Sequence, residues 1–271
     1  MTISVVTPIY NTDGDVLART WASLKAQTFT DWEWVIWDDS TDEGAWRQVY
    51  GFASDERYRV VAHRSHVHCG SIGRVKRRAF MAAEGSILVE LDHDDELTPD
   101  CLRAVHDAFL DPAVGFAYSD WCEILPDGQS GKYPPGWAFG YGSEYWSEEH
   151  GVWVMSAPEI NPQTIRHIVS APNHVRAWRS SVYDALGGHD PSLPVADDYE
   201  LVVRTFLATR FAHIPRMLYR QHIGPSTAQR VRNGQIQVLV ADIAGRYDGA
   251  ITERFAQIGM GSPTDPVNNT R

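Results

Sequence analysis

The sequence predicts an α/β fold, a mostly parallel sheet with helices on both faces. Three observations carry that expectation. β-branched and aromatic runs stop abruptly at proline or at acids, amphipathic helix-like segments lie between them, and the two kinds alternate from residue 3 to about residue 120.

The elements follow in order. "ISVVTPIYN" is β-branched and breaks at Pro8, "WEWVIWDDS" is aromatic and apolar up to two aspartates, and "YRVVAH" is a third strand-like run. Between the first two, residues 15–27 place Val16, Leu17, Thr20, Trp21 and Leu24 near helical spacing, and between the second and third, residues 43–53 form a shorter helix. "SIGRVKRRAFMAAEG" reads as a helix closed by Gly85, "SILVELDHDDELTP" as a strand running into acids, Pro99 to Leu110 as a helix and "VGFAYSD" as a strand. From about residue 121 the texture changes, and "GKYPPGWAFGYGSEYW" reads as a loop or hairpin. Residues 161–168, 180–187 and 197–208 read as helices, "RFAHIPRMLYRQH" as a strand, 227–247 as a long helix and "GSPTDPVNNTR" as a disordered tail. No internal repeat is visible.

Composition narrows the function classes. The 271 residues carry 24 Lys and Arg against 35 Asp and Glu, a net charge of −11, with no basic block to track a phosphate backbone. Nucleic acid is therefore disfavoured as the main partner. Hydrophobic residues make up 43% and charged residues 22%, the balance of a chain that buries a core. Cys69, Cys101 and Cys122 have no C-x-x-C spacing and read as reduced thiols of a cytoplasmic protein. "MTISVVTPIY" lacks a basic start and a long apolar stretch, so it reads as a strand rather than a signal, and no run reaches the ~20 apolar residues of a membrane span.

In such sheets ligands collect at the carboxyl ends of the strands, where helix N-termini converge. Here those ends carry Thr7, Pro8 and Tyr10, then Asp38 and Asp39, then Asp92, His93, Asp94 and Asp95. The group Asp92-x-Asp94-Asp95 offers hard oxygen ligands for Mg²⁺ or Mn²⁺, which bridge a diphosphate that the carboxylates alone would repel. The alternative is a solvated acidic turn that caps the helix after Thr98-Pro99.

These stretches, with "GGHDPSLPVADDYELVVRTF" and "MLYRQHIGPST", resemble in order the inverting family-2-type glycosyltransferases with the GT-A fold, over roughly residues 2–226. The resemblance implies a Rossmann-like GT-A domain. Residues 1–120 would bind a nucleotide sugar, 121–226 would bind the acceptor and supply the catalytic base, and 227–271 would form a C-terminal helix and tail. It implies sugar transfer from a nucleoside diphosphate sugar, UDP-sugar favoured, to a hydroxyl on a glycan, protein or small molecule, with inversion and with Mn²⁺ or Mg²⁺ as cofactor.

Its residue roles carry over as expectations. Thr7, Pro8 and Tyr10 pack the nucleotide base, and Asp39 with Asp38 reads the uracil N–H; the family's D-D-G-S-T-D is shortened here, which leaves both acids in play. Lys76, where the family has an Arg-Asn pair, contacts the diphosphate or ribose, or else lies on a solvated helix face. Asp92 and His93 lie by the ribose, and Asp94 and His222 hold the metal. Asp198, beside Asp197 in the family's E-D-Y position, is the catalytic base, the alternative being an acidic first turn that complements the helix dipole. Trp178, Asp197 and Gly188 belong to the acceptor and donor-sugar side. Trp137, Phe139, Tyr141, Tyr145 and Trp146 stack on a sugar ring, fill a small core or form a dimer contact. Two rivals stay open. One is a non-catalytic sugar- or partner-binding module on the same fold. The other is a sugar nucleotidyltransferase, which would carry a Gly-rich basic loop where this chain has "TPIYNTDGD".

Overall fold

The computed structural model describes residues 1–133, 144–224 and 231–259. In chain order its elements are β1 (Ile3–Ile9), α1 (Gly14–Lys25), β2 (Trp32–Asp38), α2 (Glu43–Ala53), β3 (Val60–Arg64), α3 (Ile72–Met81), β4 (Ile87–Glu90), β5 (Glu96–Leu97), α4 (Cys101–Ala108) and β6 (Val114–Ile124). There follow β7 (Glu144–Ser147), β8 (Val152–Met155), β9 (Arg176–Arg179), α5 (Ser180–Ala185), α6 (Asp197–Ala208), β10 (Arg210–His222) and α7 (Asn233–Gln257). Local chemistry starts three of the helices. The side chains of Asp13, Asp42 and Ser71 each accept a backbone N–H from the first turn of α1, α2 and α3, satisfying donors that no helical carbonyl can reach.

The strands join in the order β3-β2-β1-β4-β9-β6-β10-β5, with the β7–β8 hairpin attached through β8 to β6. β1 runs parallel to β2 and β4, and β6 runs parallel to β10. β9 sits antiparallel between β4 and β6. A strand antiparallel to both neighbours makes those neighbours co-directional, so the carboxyl ends of β1, β2, β4 and β6 open on one edge of the sheet.

Helices cover both faces. On one, Phe80 of α3 meets Trp178 edge-on at 5.8 Å, and Trp178 Nε1–H donates to Thr205 of α6 at 3.1 Å. On the other, Trp21 of α1 stacks on Trp34 of β2 at 5.2 Å. Fully burying rings of this size contributes roughly 1.5–3 kcal/mol or more each. Trp178 is wholly buried, paired with Leu88 and Phe116. It is a core residue with no surface for an acceptor, contrary to the expectation from its motif.

Several elements differ from their sequence pattern. β6 continues past Asp120 to Ile124. Residues 161–168 do not form a regular helix, because Asn161 Oδ1 accepts the N–H groups of Gln163 and Thr164 and locks a turn, leaving two short 3-10 turns at Thr164–Arg166 and Ile168–Ser170. β9 is a four-residue strand, too short to show a period. Pro215 lies inside β10 where the register with β6 shifts between Ile214 and Met217, a position that tolerates its missing N–H. The long helix, described from Asn233, runs to Gln257, past the expected end at 247; the expected start at 227 lies outside the described residues. Trp137, Phe139 and Tyr141 lie outside the described residues, whereas Tyr145 and Trp146 stand on β7, both about two-fifths exposed. Among the described residues, no helix is long and apolar enough to cross a membrane.

Candidate active site

β4 delivers its last residue, Glu90, into the interior, and the chain then turns through Asp92, His93, Asp94 and Asp95. That turn is fastened on two sides. From α1, the Thr20 hydroxyl donates to the carbonyls of His93 and Asp95, and the Arg19 guanidinium donates to the Asp94 carbonyl at 2.7 Å. From β10, the Tyr219 hydroxyl donates to Asp95 Oδ2 at 2.7 Å and the His222 N–H donates to Asp95 Oδ1 at 2.7 Å. Burial raises the Asp95 carboxyl well above its usual range, and the neighbouring Asp94 and Asp92 charges add to the effect. Burial and Asp92 likewise raise Asp94, against the pull of His93. Three acids packed so closely favour a cation among them.

One ligand atom each from Asp92, Asp95 and His174 lie within 4.8 Å of one another. His174 is buried, its Nε2 stands 3.9 Å from Asp92 Oδ2, and its ring stacks on Tyr219 at 4.2 Å. Burial, aided by the Arg176 charge, lowers its pKa to about 4, so the imidazole is neutral at pH 7 with a lone pair to give. Its Nδ1 is buried and lacks a hydrogen-bond partner among the described residues. Carboxylate oxygens with one neutral imidazole suit Mn²⁺ or Mg²⁺. This set shares the acidic turn with the expected one but not its other members. Asp94 stands beside it, and His222 Nε2 is engaged by Glu96 Oε1 at 2.7 Å, a carboxylate that also faces Arg19. His174 went unnoticed in the sequence because a single histidine before a four-residue strand carries no spacing signal.

The ends of β1 and β2 form the next part of the crevice. Asn11, at φ +47°, accepts the N–H groups of Thr41 and Asp42 and ties the two strand ends together. Asp39 is nearly buried, accepts the Cys69 N–H at 3.1 Å and lies 2.7 Å from His68 Nδ1. Burial acts to raise its carboxyl, but hydrogen bonds from Ser65 and Cys69 and the His68 charge outweigh that and hold it low. The half-exposed Tyr10 ring stacks on His68 at 4.8 Å. Beside them lies a cleft of about 420 Å³ lined by Ser40, Thr41, Arg64, Ser65, His66 and His68. Pro8 is half-buried on β1 opposite Trp37.

Two expected members of this group turn away. Asp38 is fully buried and spends Oδ1 on the Ser40 N–H of its own turn. Thr7 is fully buried too, its hydroxyl accepting Trp34 Nε1–H at 2.8 Å on the α1 face. Strand alternation explains both, since every second side chain of a central strand must point inward.

Behind the acidic turn lies a buried charge network. The Lys76 ammonium of α3 pairs with Glu90 Oε1. Arg176, opening β9, lies with Nε 2.9 Å from Glu90 Oε2 and Nη1 2.7 Å from Asp198 Oδ2. Lys76 is thus neither a solvated helix residue nor free to meet a diphosphate: it is 6% exposed and its charge is spent on Glu90.

Ala196, at φ +59°, turns the chain sharply into α6, so that Asp197 and Asp198 occupy its first turn. Burial pushes the Asp198 carboxyl up, but the Arg176 and Lys76 charges, with hydrogen bonds from Arg176 and the Tyr199 N–H, hold it far below its usual range. Asp197 moves the other way, raised to about 7 by burial, with Lys76 opposing and the Asp198 charge reinforcing. The Asp198 side chain is 28% exposed and that of Asp197 4%. Gly188, at φ +69°, backs onto Tyr183, whose ring would lie 2.7 Å from any Cβ there, and its carbonyl accepts from Arg204. Close packing accounts for that glycine. Glu90 and Arg176 are the network members that sequence reasoning missed: Glu90 closes a strand that reads as apolar, and Arg176 opens a four-residue strand that carries no periodic signal.

The family model described as Glycosyl transferase family 2 matches residues 4–150. Uncharacterized protein y4gI of Sinorhizobium fredii is 27% identical over 234 residues, 83% of this chain and 23% of that protein. O-antigen biosynthesis protein RfbC of Myxococcus xanthus is 26% identical over 230 residues, 83% of this chain and 16% of that protein. The chain therefore spans less than a quarter of the length of these two curated relatives. Among solved structures, S. aureus TarS 1-349 in complex with UDP-GlcNAc superposes with TM-score 0.67 at 17% identity, covering 95% of this chain and 73% of that one. GalNAc-T7 with UDP, GalNAc and Mn²⁺ gives TM-score 0.64 at 16% identity, covering 94% of this chain and 50% of that one. At such identities the likeness is one of fold.

Proposed function

From the premise that the chain belongs to glycosyl transferase family 2 and has the GT-A fold, we propose that it moves a sugar from a nucleoside diphosphate sugar, UDP-sugar favoured, to an acceptor hydroxyl with inversion. One observation carries the reading. His174 and Arg176, two residues apart, link the acidic turn through Asp92 to the partly exposed carboxylate of Asp198 through a 2.7 Å ion pair. A diphosphate site and a general base then belong to one crevice.

In an inverting transfer the acceptor oxygen attacks the anomeric carbon from the face opposite the leaving diphosphate, and a carboxylate takes its proton. Exposure chooses between the two acids. Asp197 has the pKa nearer neutrality but is buried, while Asp198 is anionic at neutral pH and reachable. Its weak basicity suits late proton transfer, when bond formation has already made the hydroxyl acidic. Asp92, Asp95 and His174, with Asp94 beside them, would hold Mn²⁺ or Mg²⁺. Bound there, the ion would neutralise charge building on the leaving diphosphate. Asp39, with Tyr10 and His68 adjacent, is the carboxylate suited to accept a uracil N–H, and its low pKa keeps it an acceptor. That TarS was solved with UDP and with UDP-GlcNAc supports a uridine nucleotide here.

Calorimetric titration with UDP and GDP, each with and without Mn²⁺, tests the reading on wild type, Asp92→Ala and Asp94→Ala. UDP binding that requires Mn²⁺ and weakens in the variants is the expected result. A folded wild type that binds neither nucleotide would overturn the transferase reading in favour of a non-catalytic module.

A further inference from the structure

Glu90, Arg176 and Tyr118 stand side by side on β4, β9 and β6, and directly paired residues share a face of the sheet. Arg176 thus lies on the α3 and α6 side, 5% exposed, between a carboxylate from the strand beside it and one from the helix above. Its guanidinium serves both: Nη1 donates a hydrogen bond to Asp198 Oδ2 at 2.7 Å, and Nε lies 2.9 Å from Glu90 Oε2 as an ion pair without hydrogen-bond geometry. A lysine, with a single point charge on a flexible stem, could not hold both at fixed angles. Lys76 and Arg176 balance Glu90 and Asp198, so the charges of these four groups sum to zero, with the buried Asp197 adding its own only as pH rises through about 7. The Asp198 carboxylate is gripped on its other oxygen by the Tyr199 N–H at 2.8 Å. Two independent donors therefore fix its orientation.

On the reading of Asp198 as base, the geometry points to Arg176 as its positioning residue, coupling the α6 carboxylate through Glu90 and Lys76 to the strand that delivers the acidic turn. Arg176 does not touch substrate. It sets where the base points and keeps it charged. The groups that act on Asp198 are Arg176 from β9, Lys76 from α3, Asp197 from its own helix and His189 from the turn before it, with Glu90 of β4 behind Arg176. Of these, Arg176 alone donates a side-chain hydrogen bond to it among the described residues.

The test compares wild type, Arg176→Met, Arg176→Lys and Asp198→Asn, reading UDP release from whichever UDP-sugar the wild type consumes, with Mn²⁺-dependent UDP binding measured in parallel. Arg176→Met is expected to lower kcat about 10²-fold or more, with donor KM and UDP affinity within about threefold. The acid limb of its kcat–pH profile should move up by about one pH unit or more. Arg176→Lys should restore the acid limb, because the charge returns, but only part of kcat, because the fork does not. Should Arg176→Met not fold, Arg176→Met combined with Glu90→Gln keeps the network neutral and carries the same expectations. Independently of any substrate, ¹³C carboxyl NMR, with Asp198 identified by its absence in Asp198→Asn, should show that group titrating higher once Arg176 is gone. A folded Arg176 variant with wild-type kcat and acid limb, or an Asp198 titration that does not move, overturns the proposal. Full transfer by Asp198→Asn overturns instead the reading of Asp198 as base.

Discussion

His189 Nε2 and Asp197 Oδ2 face each other 4.0 Å apart in the interior, and neither has a hydrogen-bond partner among the described residues. The gap is too long for a direct bond. Burial lowers the His189 pKa to about 3, leaving a neutral ring that offers no charge to stabilise the carboxylate. Burial, reinforced by the Asp198 charge and opposed by Lys76, raises Asp197 to about 7.

That shift has a sign. A carboxyl whose folded pKa lies above its unfolded value stabilises the fold at low pH, and that stability is lost as pH rises from about 4 to about 7. Asp197→Asn keeps the shape and removes the ionisation. Relative to wild type it should gain stability with rising pH across that window, up to roughly 4 kcal/mol at pH 8. Urea denaturation of both proteins at pH 4, 6 and 8 checks it; a difference independent of pH would show that Asp197 does not titrate there.

Asp198→Asn should lower transfer by about 10² to 10⁴-fold while UDP affinity stays within a few-fold, because amide nitrogen and oxygen keep the shape but not the basicity. Single-turnover rates beside calorimetry separate the two effects.

Lys76→Met removes one partner of a buried pair and leaves Glu90 short of compensation. A loss of about 3–5 kcal/mol is expected, seen as a fall in Tm of roughly 10 °C. Adding Glu90→Gln should recover part of it. Unchanged Tm with weakened UDP binding would instead mean that Lys76 reaches the diphosphate.

Gly188→Ala forces a side chain into φ +69° and a Cβ to 2.7 Å from the Tyr183 ring. Destabilisation of about 1–3 kcal/mol with donor affinity intact is the expected outcome. A variant of wild-type stability whose acceptor KM alone has risen would place Gly188 at the acceptor instead.

The sequence by itself determined the alternation of strands and helices as far as β6, the α6 segment at residues 197–208, and the gathering of Asp39, Asp92, Asp94, Asp95 and Asp198 at turns and helix starts. Periodicity, caps and abrupt polarity changes are local, and they survive in one dimension. Only the tertiary structure decided which of those acids face the crevice. Thr7 and Asp38 are adjacent in sequence to residues that do, yet strand alternation and a tight turn bury them. The insertion of β9 between β4 and β6 brings His174 to Asp92 and sets Arg176 between Glu90 and Asp198, across separations of more than 80 residues to the acidic turn and about 20 to α6. A four-residue antiparallel strand leaves no periodic trace. Charges that are buried in pairs look, in the sequence, like charges that are solvated, because their compensation comes from a partner that only folding supplies.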